Sequence, residues 1–316
     1  MTTERTMLTS TQQTLGGPEV LEIATVPVPT ARPNEILVRV HAAGLNPTDW
    51  KHRATGGFLG QPPFTLGWDV SGVVEAVGIG VASFVPGDEV FGMLSYPFGA
   101  GSHAQYVSAP ASWFAPKPRG VDHVQAGALP LVALTAWQAL DRYAKLQPGQ
   151  RVLIHAGAGG VGHVAIQIAK ALGAHVFATA SEPKHAFLAE LGADEAIDYR
   201  AEDAIERAGV VDVVLDTQGG ATALRSLSAL RPGGVLVSTI PFASPELLAE
   251  AARLGVRVVP FLVDAARADL EALTPLVEDG RLRATIAATF ALEDIAEAHR
   301  LGDTNRTSGK IVLDLA

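Results

Sequence analysis

The stretch HAGAGGVGHVAIQIAK, residues 155–170, carries Gly157, Gly159 and Gly162 in the frame G-x-G-x-x-G directly after the apolar run RVLI. Glycines so spaced let a backbone wrap a pyrophosphate. The first makes a tight turn, the second lets the main chain approach the phosphates, and the third lets the following helix pack closely on its strand. The anion then rests on the free N–H groups and positive end of a helix starting near Gly160. In a chain with 32 glycines the same spacing also arises as a plain turn. Context separates the two: the frame follows a strand-like run, opens a helix-like one and meets a second strand about 20 residues on. We therefore expect a bound dinucleotide.

Which dinucleotide depends on the end of that second strand, where a carboxylate would bind the 2′-hydroxyl of NAD and repel the 2′-phosphate of NADP. The strand HVFATA is followed by SEPKH. The Ser181 hydroxyl and Lys184 cation suit a phosphate, while Glu182 is the contrary sign. The expected cofactor is NADPH.

A second group is donor-rich: NPTDWKHR, residues 46–53, in an otherwise apolar stretch. Lys51 or a neighbour can donate a hydrogen bond to an acceptor oxygen as negative charge develops there during hydride transfer. Asp49, Lys51 and His52 also read as a solvated turn after Pro47. Asp69, in GWDVSG, reads as an Asp bonding local backbone N–H groups more than as a catalytic acid. His41, His103 and His155 sit in strand-like runs and read as packed, hydrogen-bonded imidazoles. Trp68, Tyr96, Phe98, Trp137 and Phe242 can line a slot for a flat acceptor or simply fill a core.

These residues need elements to position them. A chain of 316 residues exceeds the size at which one core usually stops growing, so two domains are expected. Up to about residue 120, short apolar segments broken by Gly and Pro read as irregular, barrel-like β structure. From QAGALPLVALTAWQAL onward, helix-length segments alternate with short β runs, the signature of βαβ units around a parallel sheet. Strands are expected at 151–156, 175–180, 211–217, 235–240 and 256–263. Helices are expected in GHVAIQIAKALG, PKHAFLAELG, TALRSLSAL and PELLAEAARLG. After about residue 265 the chain has no new βαβ unit to join, and its last segments are expected to return to the first domain.

Composition closes off other classes. With 48% hydrophobic and 18% charged residues the chain can bury a large core. A net charge of −9 without any basic run opposes nucleic acid and anionic membranes as partners. There is no cysteine, so disulfides, thiolate catalysis and thiolate-ligated zinc are excluded. The first residues show no basic-then-apolar leader and no apolar run approaches about 18 residues, so a cytoplasmic protein is expected.

The motifs AAGLNPTDWKHR, PFTLGWDVSGVVEAVG, VPGDEVFG, ALPLVALTAWQAL, AGAGGVGHVAIQIAK, LGADEAIDYR and NRTSGKIVL occur in that order. Together they resemble the zinc-independent, zeta-crystallin-like quinone reductases of the medium-chain dehydrogenase/reductase superfamily over nearly the whole length. The resemblance implies a GroES-like β-barrel substrate domain, 1–122 completed by 266–316. It also implies a Rossmann NADP-binding domain with a doubly wound parallel sheet, 123–265. Zinc-dependent relatives draw metal ligands from a Cys and a Gly-His-Glu segment. Here the segment reads Gly67, Trp68, Asp69, and no metal is expected.

Without a Lewis acid, the easier chemistry is hydride delivery to a quinone or another conjugated carbonyl. Enone or alkenal double-bond reduction and a weakly catalytic, crystallin-like NADPH binder are the alternatives. By the family pattern the catalytic positions are Asn46, Lys51 and Thr135. The cofactor positions are Gly157, Gly159, Gly160, Val161, Gly162, Ser181, Lys184, Tyr199, Thr217 and Asn305. Lys51 replaces a tyrosine of the zeta-crystallin-like pattern, and in this the chain looks more like plant and bacterial enone reductases. The partners implied are a small-molecule quinone or enone and a second copy of the chain, paired through an edge strand in VRVVPFLV.

Overall fold

The computed structural model describes residues 5–316, and the first four residues of the stretch read for a leader lie outside the described residues. The chain opens with β1 (Thr6–Thr11), β2 (Glu22–Pro27), β3 (Glu35–Leu45), α1 (Pro47–Thr55), β4 (Asp69–Val77), β5 (Glu89–Met93), β6 (Tyr106–Pro110) and β7 (Phe114–Pro116). Two helices, α2 (His123–Ala128) and α3 (Pro130–Trp137), follow. Strands and helices then alternate: β8 (Arg151–Ile154), α4 (Gly160–Ala171), β9 (His175–Ala180), α5 (His185–Glu190), β10 (Glu195–Asp198), α6 (Ala204–Ala208) and β11 (Val211–Asp216). The alternation continues through α7 (Gly220–Ser226), β12 (Leu230–Ser238), α8 (Pro245–Leu254) and β13 (Arg257–Pro260). The chain ends with α9 (Arg267–Glu278), β14 (Ile286–Phe290), α10 (Ile295–Asp303) and β15 (Lys310–Asp314).

Two compact units result. One holds the chain up to Leu134 with Asp264–Glu278 and Arg283–Ala316, and the other holds Thr135–Val263 with Asp279–Leu282. The first is built on a seven-stranded sheet in the order β14-β15-β3-β4-β5-β7, with β6 also paired to β3. Its pairings are antiparallel except β14 with β15. The eleven-residue β3 is its central strand and is buried along most of its length. The return of the C-terminus is made by β15, which pairs with β3 in the register Ile311↔Leu45 to Asp314↔Ala42.

The unit changes at 134/135, not at the 122/123 junction read from the sequence. The cause is α2, which packs on β3, β4 and β15. A Cβ on Gly127 would meet the Ala42 carbonyl oxygen at 2.8 Å, and one on Gly44 would meet the Gly127 oxygen at 2.7 Å. Glycine at both positions lets helix and strand backbones approach, which ties α2 to the first sheet.

In the second unit six strands run parallel in the order β10-β9-β8-β11-β12-β13. The chain enters at β8, winds out to β10, crosses back to β11 and winds out to β13. This is the doubly wound order, and its switch point lies between β8 and β11, beyond whose carboxyl ends such sheets bind ligands. Leu153, Phe177, Val214 and Leu236 from the strands and Leu227 and Leu247 from the helix side share one core. Burial on both faces accounts for the uninterrupted apolar runs in the sequence. β9 spans the expected residues, β12 reaches back to Leu230, and β10 is a strand that the apolar pattern misses because only Ile197 of its four residues is buried.

Candidate active site

The glycine frame forms the turn from β8 into α4. Gly157 donates its N–H to the Thr179 oxygen at 2.8 Å, which ties the turn to β9. A Cβ on Gly157 would meet Ala178 Cβ at 2.9 Å, and one on Gly162 would meet the Ala156 oxygen at 2.2 Å. Those two glycines are required by packing within the protein. A Cβ on Gly159 would have only the Ala156 oxygen near it, at 3.2 Å. Gly159, at the N-cap of α4, is therefore the least crowded of the three. The N–H groups of Gly160, Val161 and Gly162 lie in the first turn, where helix geometry offers no acceptor. None of the three donates to a loop carbonyl. Ala156 holds φ +52°, a left-handed conformation that its neighbours impose.

His155 helps to impose it. Ser226 Oγ donates to the Thr222 oxygen, so it accepts from His155 Nε2 at 2.8 Å, while His155 Nδ1 faces Thr179 Oγ1 at 3.4 Å. Thr179 Oγ1 in turn accepts from the Ala156 N–H at 3.1 Å. Burial holds His155 below the usual imidazole range. Thr217 Oγ1 donates to the His155 oxygen at 3.4 Å and joins the end of β11 to the end of β8.

Strand register brings the other expected cofactor residues together. Asp198 pairs with Ala180, so Tyr199 and Ser181, the next residue of each chain segment, leave β10 and β9 side by side. Lys184 follows one turn on, in the short helix Glu182–Lys184. Tyr199 is 56% exposed, and the Arg200 guanidinium lies 5.5 Å from its ring centre. Sequence reading missed Arg200 as a cation at this corner, although it stands in the quoted motif LGADEAIDYR. Thr135 also belongs to the second unit, where it is buried in α3.

Asn46, Lys51 and Asn305 belong to the first unit. Asn305 is exposed after α10 with φ +51°, and its Nδ2 donates to the Asp303 oxygen at 3.1 Å. Asn46 is buried and fully engaged. Its N–H donates to Asp49 Oδ2 at 2.7 Å, its Nδ2 donates to Asp69 Oδ2 at 2.9 Å, and its Oδ1 accepts from Lys310 Nζ. Lys310 also donates to the Leu45 oxygen at 2.8 Å and to Asp69 at 3.2 Å, and Asp69 Oδ1 accepts from the Leu131 N–H at 2.6 Å. One buried ammonium thus binds the end of β3 and the starts of α1, β4 and β15, and Asp69 extends the tie to α3. Lys310 was legible only as a letter in the motif NRTSGKIVL.

Helix α1 divides by face. Asp49, His52 and Arg53 are buried, while Lys51, Ala54 and Thr55 are exposed. Burial pushes the Asp49 carboxyl up to about 7, against the N–H groups of Asn46 and Gly67 and the charge of Lys310, which pull it down. His103 Nε2 lies 4.0 Å from Asp49 Oδ1. The expectation of a hydrogen-bonded imidazole holds for His155 and is corrected for His103, neither of whose ring nitrogens has a partner among the described residues. Burial forces it neutral, with its pKa lowered to about 3.

Of the five aromatic residues proposed for a slot, the structure gathers three. Trp68 and Tyr96 pack edge to face with centroids 5.5 Å apart, and Phe98 meets Phe58 at 6.1 Å. His52 joins them, 5.3 Å from Trp68 and 6.0 Å from Phe58. Phe58 and His52 were not foreseen as members. Trp137 and Phe242 belong to the other unit.

A catalytic zinc does not fit these residues. Both oxygens of Asp69 are already committed, the chain has no cysteine, and no group of three metal-ligating side chains occurs among the described residues.

Comparison with known proteins agrees with this architecture. Residues 32–119 match the family model described as alcohol dehydrogenase GroES-like domain, and residues 191–313 match the one described as zinc-binding dehydrogenase. The mitochondrial NAD(P)H oxidoreductase RTN4IP1 of Mus musculus is 32% identical, over 90% of this chain and 82% of that protein. The chloroplastic NADPH-dependent alkenal/one oxidoreductase of Arabidopsis thaliana is 33% identical, over 94% of this chain and 77% of that protein. The solved quinone oxidoreductase of Coxiella burnetii superposes with a TM-score of 0.93 at 36% identity, covering 99% of this chain and 100% of that one. With a GroES-like unit, a doubly wound nucleotide-binding unit and no place for zinc, the chain belongs to the zinc-independent group of the medium-chain dehydrogenase/reductase family, that of the quinone and enone oxidoreductases.

Proposed function

We propose that the protein transfers hydride from NADPH to a quinone or to a conjugated enone or alkenal. The observation that carries the nucleotide reading is Gly159, the least crowded glycine of the frame, with a single atom near its Cβ position, at the N-terminus of α4. A pyrophosphate there accepts from the first-turn N–H groups and meets the positive end of a twelve-residue helix. The choice of NADPH rests on Ser181, Lys184, Tyr199 and Arg200 around one corner; the acids there are Glu182 and Asp198, whose Oδ1 accepts from the Arg200 N–H at 3.0 Å. Bound there, the reduced nicotinamide supplies the hydride. Asn46, Lys51 and Thr135 remain our candidates for the reacting end, Asn46 as a buried anchor and Lys51 as an exposed donor. The relatives' names, one an alkenal/one oxidoreductase and one a quinone oxidoreductase, support the acceptor class.

Two finer parts belong to the same reading. β13 is an edge strand of the second unit's sheet, free to pair with its copy in a twofold dimer. A monomer mass in solution refutes that dimer. The cytoplasmic placement rests on the sequence alone, and relatives carry mitochondrial and chloroplastic in their names. No helix among the described residues is long and apolar enough to cross a membrane.

The test is a parallel titration with NADPH and NADH, followed by initial rates with 9,10-phenanthrenequinone, 1,4-benzoquinone and a short enone. Tighter NADPH binding with turnover of either acceptor class is expected. Tight binding without turnover points instead to a noncatalytic nucleotide-binding protein.

A further inference from the structure

The aromatic group of the first unit carries a hydrogen-bond chain with one proton left to give. His52 Nδ1 lies 2.7 Å from the Thr48 carbonyl oxygen, an acceptor only, so Nδ1 carries the ring proton. The same Nδ1 lies 3.0 Å from Thr48 Oγ1, which accepts a share of that proton. The Thr48 hydroxyl proton is then turned to Tyr96 Oη, 3.4 Å away. Tyr96 accepts in this chain, and its own O–H finds no acceptor among the described residues. Trp68 and His52 pack against its ring, and Phe58 and Phe98, 39% and 72% exposed, continue the group from His52. A flat molecule can lie on such rings with a carbonyl oxygen at the phenol.

We propose that Tyr96, polarised by Thr48 and His52, donates its phenolic proton to the carbonyl oxygen of the acceptor and thereby sets the preference for enones over quinones. The inference rests on the hydride-transfer reading above. Hydride from the reduced nicotinamide adds to the β-carbon of an enone with its electron pair. The C=C π pair forms the new bond between α-carbon and carbonyl carbon, and the carbonyl π pair moves to oxygen. The Tyr96 O–H bond breaks as that oxygen takes the proton, giving an enol that tautomerises to the saturated ketone. Water returns a proton to the phenolate, and the nicotinamide leaves oxidised. An enolate is a far stronger base than a hydroquinone monoanion, so the donor matters much more for the enone. Burial raises the Tyr96 pKa, which keeps the phenol protonated through the neutral range.

The experiment measures kcat and KM for a short enone and for 1,4-benzoquinone in wild type, Tyr96→Phe, Thr48→Val and Thr48→Ser. Loss of one well-placed donor predicts a fall of about 10²-fold in enone kcat for Tyr96→Phe. The fall with quinone is no more than about tenfold, the worth of an ordinary hydrogen bond. Thr48→Val shifts the enone-to-quinone ratio the same way by a smaller factor, and Thr48→Ser restores it, whereas a packing defect lowers both rates together. An unchanged ratio in Tyr96→Phe, or in Thr48→Val should Tyr96→Phe fail to fold, overturns the inference while the reductase reading stands. A wild type active on quinone alone has the same meaning. A wild type that reduces neither acceptor overturns both.

Discussion

At the scale of single residues, the side chains around the ends of β9 and β10 make a test of cofactor choice that leaves the fold alone. Ser181, Lys184, Tyr199 and Arg200 lie on the surface or half-buried, and none of them belongs to the core cluster of the second unit. If Lys184 and Arg200 meet the 2′-phosphate, each supplies a charge-assisted bond worth about 1.5–3 kcal/mol, roughly 10- to 10²-fold in affinity. Lys184→Ala and Arg200→Ala are therefore expected to weaken NADPH by that factor while NADH affinity and the unfolding midpoint stay as in wild type. Equal weakening of both nucleotides, read by fluorescence titration, refutes the assignment. The chain offers an internal contrast in Asn46, whose three polar groups are spent on Asp49, Asp69 and Lys310, so its removal is felt first as lost stability.

At the scale of elements, the turn from β8 to α4 separates what the fold needs from what a ligand needs. Gly162→Ala puts a methyl 2.2 Å from a backbone oxygen that cannot move without shifting the turn, so it is expected to lower stability by about 1–3 kcal/mol. Gly159 sits at φ −78°, which alanine adopts freely, and its added methyl meets one atom at 3.2 Å. Gly159→Ala is expected to keep the midpoint of unfolding and to bind NADPH at least about tenfold more weakly. The two substitutions differ by three positions, and a stability loss in both alike would remove the ligand's share in the motif. The βαβ elements were legible because a parallel sheet buries both faces and leaves unbroken apolar runs such as RVLI and HVFATA. The aromatic group was half legible. Periodicity cannot tell that Trp68 and Tyr96 meet while Trp137 joins another unit, because the partners are set by pairings such as Asp69↔Met93 far apart in the chain. Lys310 escaped notice for the same reason: its three acceptors lie more than two hundred residues upstream.

At the scale of the whole molecule, the buried titratable groups of the first unit set how stability answers to pH. Asp49 is held at about 7 against an ordinary 3.8, so between those values the folded chain keeps a proton that the unfolded chain has lost. Its share of stability therefore falls as pH rises through that window. His103 and His299, whose rings lie 6.0 Å apart, act oppositely. Burial holds them at about 3 and about 2 against an ordinary 6.5, so acid protonates the unfolded chain first and stability falls as pH drops. From about pH 6 to about pH 4 the unfolded chain gains two protons on these imidazoles against one kept by folded Asp49. The net difference of one proton costs about 1.4 kcal/mol per pH unit on acidification. Burial lowers His52 and His155 as well, which steepens the loss. Urea unfolding at pH 7, 6, 5 and 4 is expected to give midpoints that fall steadily. In His299→Gln, which keeps an acceptor for the Arg53 guanidinium, the loss per pH unit should shrink by about 1.4 kcal/mol, the contribution of one imidazole. A wild-type slope in that variant would mean that His299 takes up its proton in the folded chain, beside the Arg53 guanidinium that Asp303 pairs at 3.0 Å.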